Sequence, residues 1–335
     1  MKFGPVPVRD AIGAILAHSY PTRAVSDVDL SKGTILGPEH IAALIEDGAE
    51  QVVVAVLEDG DLHEDAAAHL LADALVPEEA AALRRTDART GRVNVYAQTV
   101  GVVRIDAHAI TLANSVNPMI TVATLDDFAR LEANRMVATI KIISYGVPEG
   151  DVMRAAEHMR GAIQVAEPQF HSASLVETAV PGQVFGEKGR KSLAMRVQRM
   201  GMDLQGEIRV PHEVDALAQA LRDAQGDVLF ILTGSATSDI NDVAPMAVRA
   251  AGGEVHHYGI PVDPGNLLFL GQLGAKPVIG LPGCARSPAL NGADWVMERV
   301  LCSINLDAAD IAAMGVGGLL KEIPTRPRPR RSAEG

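Results

Sequence analysis

Two kinds of hydrophobic spacing divide this chain. From about residue 173 onward, short apolar runs alternate with stretches of helical period. Strands are expected at 174–180, 207–210, Val228–Leu232, Glu254–Tyr258 and Lys276–Leu281, the last of them. Helices are expected at 187–200, 214–224 and 243–251, the third closed by Gly252 and Gly253. A final helix is expected from Pro288, capped by Ser287 and continuing through Trp295, Val300 and Ile304. This alternation predicts a three-layer α/β/α domain with a mostly parallel sheet over residues 170–320.

The first 165 residues read differently, as a smaller α+β region. Helical spacing covers 8–17, and a turn-rich segment follows at 31–38. A short helix at 39–46 stops at Gly48, and a β-branched run occupies 51–57. A second helix at 63–75 follows the acidic turn 58–61. Residues 90–148 are β-rich, with strand-like runs at Arg92–Ala97, Gly101–Ile105, 119–124 and 136–143. Helical spacing returns at 151–165. Residues 321–335 hold Pro324, Pro327, Pro329 and several arginines, and are expected to be an exposed, extended tail.

Composition narrows the function classes. A length of 335 residues suits about two domains. Aromatic residues make up only 3%, so the cores must be built from Ala, Val, Leu and Ile. A net charge of −12 argues against general binding to nucleic acid or an anionic membrane. An anionic ligand would have to be held by local dipoles and a few basic side chains. Two cysteines, Cys284 and Cys302, make no disulfide framework and fit a reducing cytoplasm. Arg9 and Asp10 precede any apolar run, so no signal peptide is expected, and no apolar stretch has membrane-spanning length.

The candidate chemistry concentrates in the loop 233–242. It follows a buried strand and opens a helix, the arrangement by which α/β proteins gather backbone N–H groups around an anion. Thr233, Gly234, Ser235, Ala236, Thr237 and Ser238 supply small residues for such a cradle. Asp242 suits either a functional acid or a helix N-cap, and Asp239 either a second acid or a solvated loop residue. Two further Gly/Pro loops leave strand ends, one holding Pro264, Gly265 and Asn266 and the other Pro282, Gly283, Cys284, Arg286 and Ser287. In a parallel sheet all three would share one edge and could line a pocket for a flat, phosphorylated ligand.

Together these loops resemble the molybdopterin-binding domain of molybdenum-cofactor biosynthesis proteins, the MoaB/Mog-type fold and the related molybdopterin molybdenumtransferases. The matching residues are the strand and loop 233–242, Pro264-Gly265 and Leu281-Pro282-Gly283. Lys32 to Pro38, Gly48 and the run from Gln51 to Val54 resemble a molybdenumtransferase segment. Residues 1–325 as a whole resemble a bacterial branch in which this module stands alone or precedes a cytidylyltransferase, a domain expected to be absent here. The chain departs from the family pattern in three places. Ser235 stands where a second glycine is usual, Cys284-Ala285-Arg286 replaces Asn-Pro, and His212-Glu213 follows Pro211 where adenylating members carry Pro-Asp.

The resemblance implies a cytoplasmic homo-oligomer that binds molybdopterin, the organic part of the molybdenum cofactor. Asp242 would be its key acid, with Mg2+ and molybdate as the ions of an insertion step. A cytidylyltransferase or a molybdoenzyme would be the recipient. A non-catalytic carrier is the alternative, favoured by the three departures, and a hydrolase of another pterin or nucleotide is the third reading. Other candidates read as structural. His256 and His257 point to opposite sides of a strand, and His63 and His69 do not share a helix face. Cys284 is read first as a small loop residue, with a lowered thiol pKa as the alternative. Lys188, Arg190 and Lys191 at a helix start suit solvation or a phosphate contact.

Overall fold

A computed structural model describes residues 1–21, 28–77 and 80–320. The tail expected at 321–335 lies outside the described residues. The chain is a mixed α/β protein that divides into two compact units, residues 1–99 with 103–165, and residues 100–102 with 166–335. Among the described residues no helix is long and apolar enough to cross a membrane.

The first unit opens with β1 (Lys2–Pro7), β2 (Ile15–Leu16), α1 (Pro38–Glu46) and β3 (Gln51–Val56), with β3 central and antiparallel to both partners. The helix expected at 8–17 does not form. Val8–Asp10 makes one 3-10 turn, and Gly13 turns the chain at a φ of 79° into β2. After β4 (Asp61–His63) comes α2 (Glu64–Leu75), followed by β5 (Leu83–Arg85), β6 (Arg92–Ala97) and β7 (Gly101–Ile105). Then follow α3 (Ala107–Val116), β8 (Ile120–Thr124), β9 (Arg130–Leu131), β10 (Met136–Ile142), β11 (Gly146–Pro148), α4 (Glu149–His158) and β12 (Ile163–Ala166). The stretch 90–148 is β-rich as expected but contains α3. The helix expected to reach 165 ends at His158, because Gly161 turns at a φ of 63° and β12 begins. Leu71, Leu75, Val95, Ile140 and Met159 lie in this unit's core.

In the second unit, β13 (Ser172–Ala179) leads to α5 (Glu187–Arg199), β14 (Asp203–Pro211), α6 (Val214–Asp223), β15 (Val228–Leu232) and α7 (Val243–Ala250). Next come β16 (Glu254–Tyr258), β17 (Phe269–Leu273), β18 (Lys276–Leu281), a 3-10 turn at Gly283–Arg286, α8 (Gly292–Leu301) and α9 (Ala308–Ala313). The six strands stand in the order β14-β13-β15-β18-β17-β16. The first four are mutually parallel, while β17 runs antiparallel to both its neighbours. Along β15, Leu229 and Ile231 pack with Leu217, Leu221, Ala247 and Val248 of α6 and α7. Leu232, one step out of phase, meets α5 at Gly189, where any Cβ would collide with it.

Two expectations for this unit change. β17 was not anticipated, since its apolar run is short and interrupted by Gly271. Its insertion makes the sheet mixed and carries β16 to the far edge. The helix expected from Pro288 through Ile304 spans only Gly292–Leu301 and is followed by the unanticipated α9, because residues 283–286 form the 3-10 turn and Asn291, not Ser287, caps α8, its Oδ1 accepting from the Ala293 N–H at 2.9 Å.

Candidate functional site

From β13 the chain crosses to β14 on one side, and β15 then pairs on the other. The carboxyl ends of β13 and β15 therefore form a topological switch, the point where loops diverge and leave a crevice in open α/β sheets. A cleft of about 370 Å³ lies there, lined by Glu177, Thr178, Gln183, Phe185, Gly189 and Arg286 among others.

The walls are held by close backbone approach. The Gly234 N–H donates to Thr178 Oγ1 at 3.0 Å, and a Cβ on Gly234 would sit 2.9 Å from Ala179 Cα. Thr178 Oγ1 also lies 2.8 Å from His212 Nδ1. Arg286 Nη2 donates to the Thr233 carbonyl at 3.0 Å and lies 3.5 Å from Glu177 Oε1. The 3-10 turn after β18 thus adjoins the loop after β15.

The 233–242 loop separates into anchored and open parts. Thr233 and Thr237 are buried with hydroxyls 3.5 Å apart, and the Thr237 carbonyl accepts from Tyr258 Oη at 2.9 Å. Ser235, Ala236, Ser238 and Asp239 are exposed. The Ser235 and Ala236 N–H groups have no hydrogen-bond partner among the described residues. Asp242 accepts from Ser238 N–H at 3.0 Å and from Val243 N–H at 2.7 Å, which makes it the N-cap of α7. Burial pushes its carboxyl up, but the two N–H donors and the nearby His212 outweigh this and hold it below its ordinary value. Asp239 Oδ1 accepts from the Asn241 N–H at 2.7 Å.

A group whose folded pKa is depressed stabilises above its unfolded pKa, and that stability is lost as pH falls through the folded value. Asp242→Ala is accordingly expected to cost about 1 kcal/mol at pH 7, the usual worth of an N-cap. The difference from wild type should vanish in urea titrations run below the depressed Asp242 pKa. A constant difference across pH would show that the cap is not the source.

The third predicted loop stays outside this cleft. Because β16 runs parallel to β18, Pro264, Gly265 and Asn266 emerge on the same edge, but β17 stands between. The Pro264 carbonyl accepts from Gly292 N–H at 2.8 Å at the start of α8, and Asn266 turns its amide to the Ile260 carbonyl at 3.4 Å. On the β18 side, Pro282 is buried, while Gly283, Cys284 and Ser287 are exposed. Although part of Cys284 is exposed, burial raises its thiol above the ordinary value, the opposite of an activated thiolate. Both Asp242 oxygens are taken by N–H groups, and no three His, Cys, Asp or Glu side chains group to hold an ion among the described residues. His257 binds the Gly259 carbonyl through Nε2 at 2.7 Å, and His256 is exposed.

Most of the cleft residues were not singled out from the sequence, among them Glu177, Thr178, Gln183, Phe185 and Gly189. The available signal was Glu177 itself, a charged residue inside the otherwise uncharged β13 run. Lys188 is exposed on the cleft rim, and Arg190 pairs with Glu207 at 3.4 Å. A larger hollow of about 530 Å³ with a mostly apolar lining lies in the first unit beside Phe3, Lys32 and Tyr145.

Residues 5–56 match the model of a family described as a domain of unknown function, DUF8806. No curated protein matches the sequence. Among solved structures, a molybdopterin biosynthesis MoeA protein from Pyrococcus horikosii is similar over 90% of this chain and 75% of its own, at 14% identity and a TM-score of 0.33. A molybdenum cofactor biosynthesis protein B is 15% identical over 41% of this chain and 96% of its own, with a TM-score of 0.30. A molybdopterin biosynthesis protein from Mycobacterium abscessus is 14% identical over 40% and 93%, with a TM-score of 0.27. Superpositions this loose do not bear on function.

Proposed function

We propose that this protein binds molybdopterin at the β13–β15 switch point and serves molybdenum-cofactor biosynthesis as a cofactor-holding protein. The observation that carries the reading is the open Ser235–Ala236 corner. Two exposed N–H groups without partners adjoin the Thr233 carbonyl that Arg286 spans. Such a corner suits the terminal phosphate of the ligand, with Arg286 as its charged partner. The pterin assignment rests on the motif resemblance of the same loops. In this reading the second unit takes the MoaB/Mog-type arrangement, and the homo-oligomer and recipient enzyme follow from it.

Carriage is favoured over molybdate insertion by Asp242. Its oxygens are engaged in capping α7, and His212 occupies the position where adenylating relatives carry a carboxylate. Calorimetric titration with molybdopterin is expected to show binding that Arg286→Met weakens about tenfold or more, the worth of one charged hydrogen bond. Absence of binding to the wild-type protein would refute the reading. Asp242→Ala is expected to retain pterin, and measurable molybdate insertion by wild type that this variant loses would favour the enzyme.

A further inference from the structure

We infer that Glu177 reads the ring of the bound pterin, accepting the 2-amino and N3–H donors of its 2-amino-4-oxo edge in the cleft between β13 and α5. This rests on the pterin reading above and adds to it the group that selects the ring.

Glu177 is an anomaly in its strand. Its side chain is only 4% exposed, yet Oε2 is buried without a hydrogen-bond partner. Oε1 lies 3.5 Å from Arg286 Nη2, and Oε2 lies 4.0 Å from Arg209 Nε. Both distances exceed those of a formed charged hydrogen bond. Burial pushes the carboxyl up, Arg286 and Arg209 oppose that, and Glu207 adds to it. A buried carboxylate left this poorly satisfied is costly to keep.

Glu177 lines the cleft, with Arg286 beside its Oε1 as the group that an entering ring would have to move aside. Gly189 lies on the buried face of α5, and a Cβ there would lie 3.5 Å from Glu177 Oε1. The α5 N-terminus above it begins at Gly186 without a side-chain cap. Val184 and Phe185 add apolar surface against which a flat ring can lie. A volume of about 370 Å³ suits a bicyclic ring.

The chemistry selects one edge. A carboxylate offers two acceptors side by side, and the 2-amino and N3–H groups of a pterin offer two parallel donors. A lumazine ring carries a 2-oxo group in place of the amine and would set an acceptor against one oxygen. Guanine presents the same donor pair as pterin, so the two sources must be separated by experiment. Glutamine at 177 has one acceptor and one donor and can satisfy only half of the edge.

The test measures dissociation constants for pterin-6-carboxylate, lumazine-6-carboxylate, guanosine 5′-phosphate and inosine 5′-phosphate on the full chain, by fluorescence or calorimetry. Wild type is expected to prefer the pterin over the lumazine by about tenfold or more. Glu177→Gln, checked for folding by circular dichroism, should reduce that preference below about threefold or reverse it, because the pterin loses one acceptor while the lumazine 2-oxo group gains a donor. Equal affinity of wild type for the two pteridines would overturn the role of Glu177, a result that needs no variant. If Arg286→Met then still weakened both, the pterin site itself would stand. Preference for guanosine 5′-phosphate over both pteridines, together with discrimination against inosine 5′-phosphate, would overturn the pterin assignment. Binding of none of the four would refute the site and the role of Glu177 together.

Discussion

Arg196→Met is expected to cost roughly 3–5 kcal/mol of folding stability, the range found when one partner of a buried ion pair is removed. Arg196 and Asp294 are both buried, and Nε donates to Asp294 Oδ1 at 2.6 Å. The rest of the guanidinium binds loop carbonyls. Nη1 donates to Ala285 O at 2.9 Å, and Nη2 to Ser287 O at 2.9 Å and Ala289 O at 3.1 Å. A fixed fork of donors is needed to satisfy three carbonyls and a carboxylate at once, which lysine cannot reproduce. Asp294 in turn accepts from the Asn291 N–H at 2.8 Å, so the same pair anchors the start of α8. Arg286 lies inside the bound segment, and Ser192 Oγ holds its carbonyl at 2.8 Å. The variant should therefore lose ligand affinity as well as stability.

The double variant Arg196→Met with Asp294→Asn separates the two effects. Removing the stranded charge should return part of the stability, because most of the single-variant penalty is an unpaired buried carboxylate. The carbonyls at 285, 287 and 289 would remain unbound, so amide exchange across 283–289 should stay fast in both variants. Urea titration of the single variant settles the first point. A loss well under about 1 kcal/mol would mean that the pair is solvated and that the loop is held by something else.

Much of the second unit could be read from the chain, because its strands are short apolar runs and its helices carry regular stripes. Val228–Leu232 is uniformly apolar since both sheet faces are covered. Arg196 shows the limit of that reading. It sits on the buried stripe with Leu193 and Val197, a position that patterning assigns to an apolar residue. Its partner Asp294 is 98 residues away, and no local signal announces such a pairing. β17 was missed for a related reason: a five-residue strand whose apolar positions are broken by Gly271 and Gln272 has no period long enough to declare itself. That one strand decides which loops meet. It leaves Gly234 beside Arg286 and carries Pro264 to the start of α8. Likewise, the spacing at 8–17 is helical but a glycine turn overrides it, since side-chain period does not encode a positive φ. The sequence left Asp242 open to a functional acid or an N-cap, and the N–H donors around it establish the cap.

Gly234→Ala is expected to abolish phosphate-dependent ligand binding and to cost about 1–3 kcal/mol, the usual penalty for forcing atoms into a filled space. Gly234 does not require a glycine-only backbone angle, so the constraint comes from its neighbours. A Cβ would sit 2.5 Å from Gln183 Oε1, 2.9 Å from Ala179 Cα and 2.9 Å from the Thr178 carbonyl. The glutamine amide can swing away, but the two backbone atoms belong to the end of β13 and cannot. The loop must then lift, breaking the 3.0 Å bond from Gly234 N–H to Thr178 Oγ1 and moving the Thr233 carbonyl off Arg286. Ser235→Gly is the matched control. Ser235 is exposed and its side chain makes no hydrogen bond among the described residues, so restoring the Gly-Gly pair should change stability by less than about 0.5 kcal/mol. Affinity should likewise stay within about threefold. If instead the serine variant gained affinity tenfold while Gly234→Ala bound normally, the phosphate corner would depend on flexibility at 235 and not on the contact between β13 and β15.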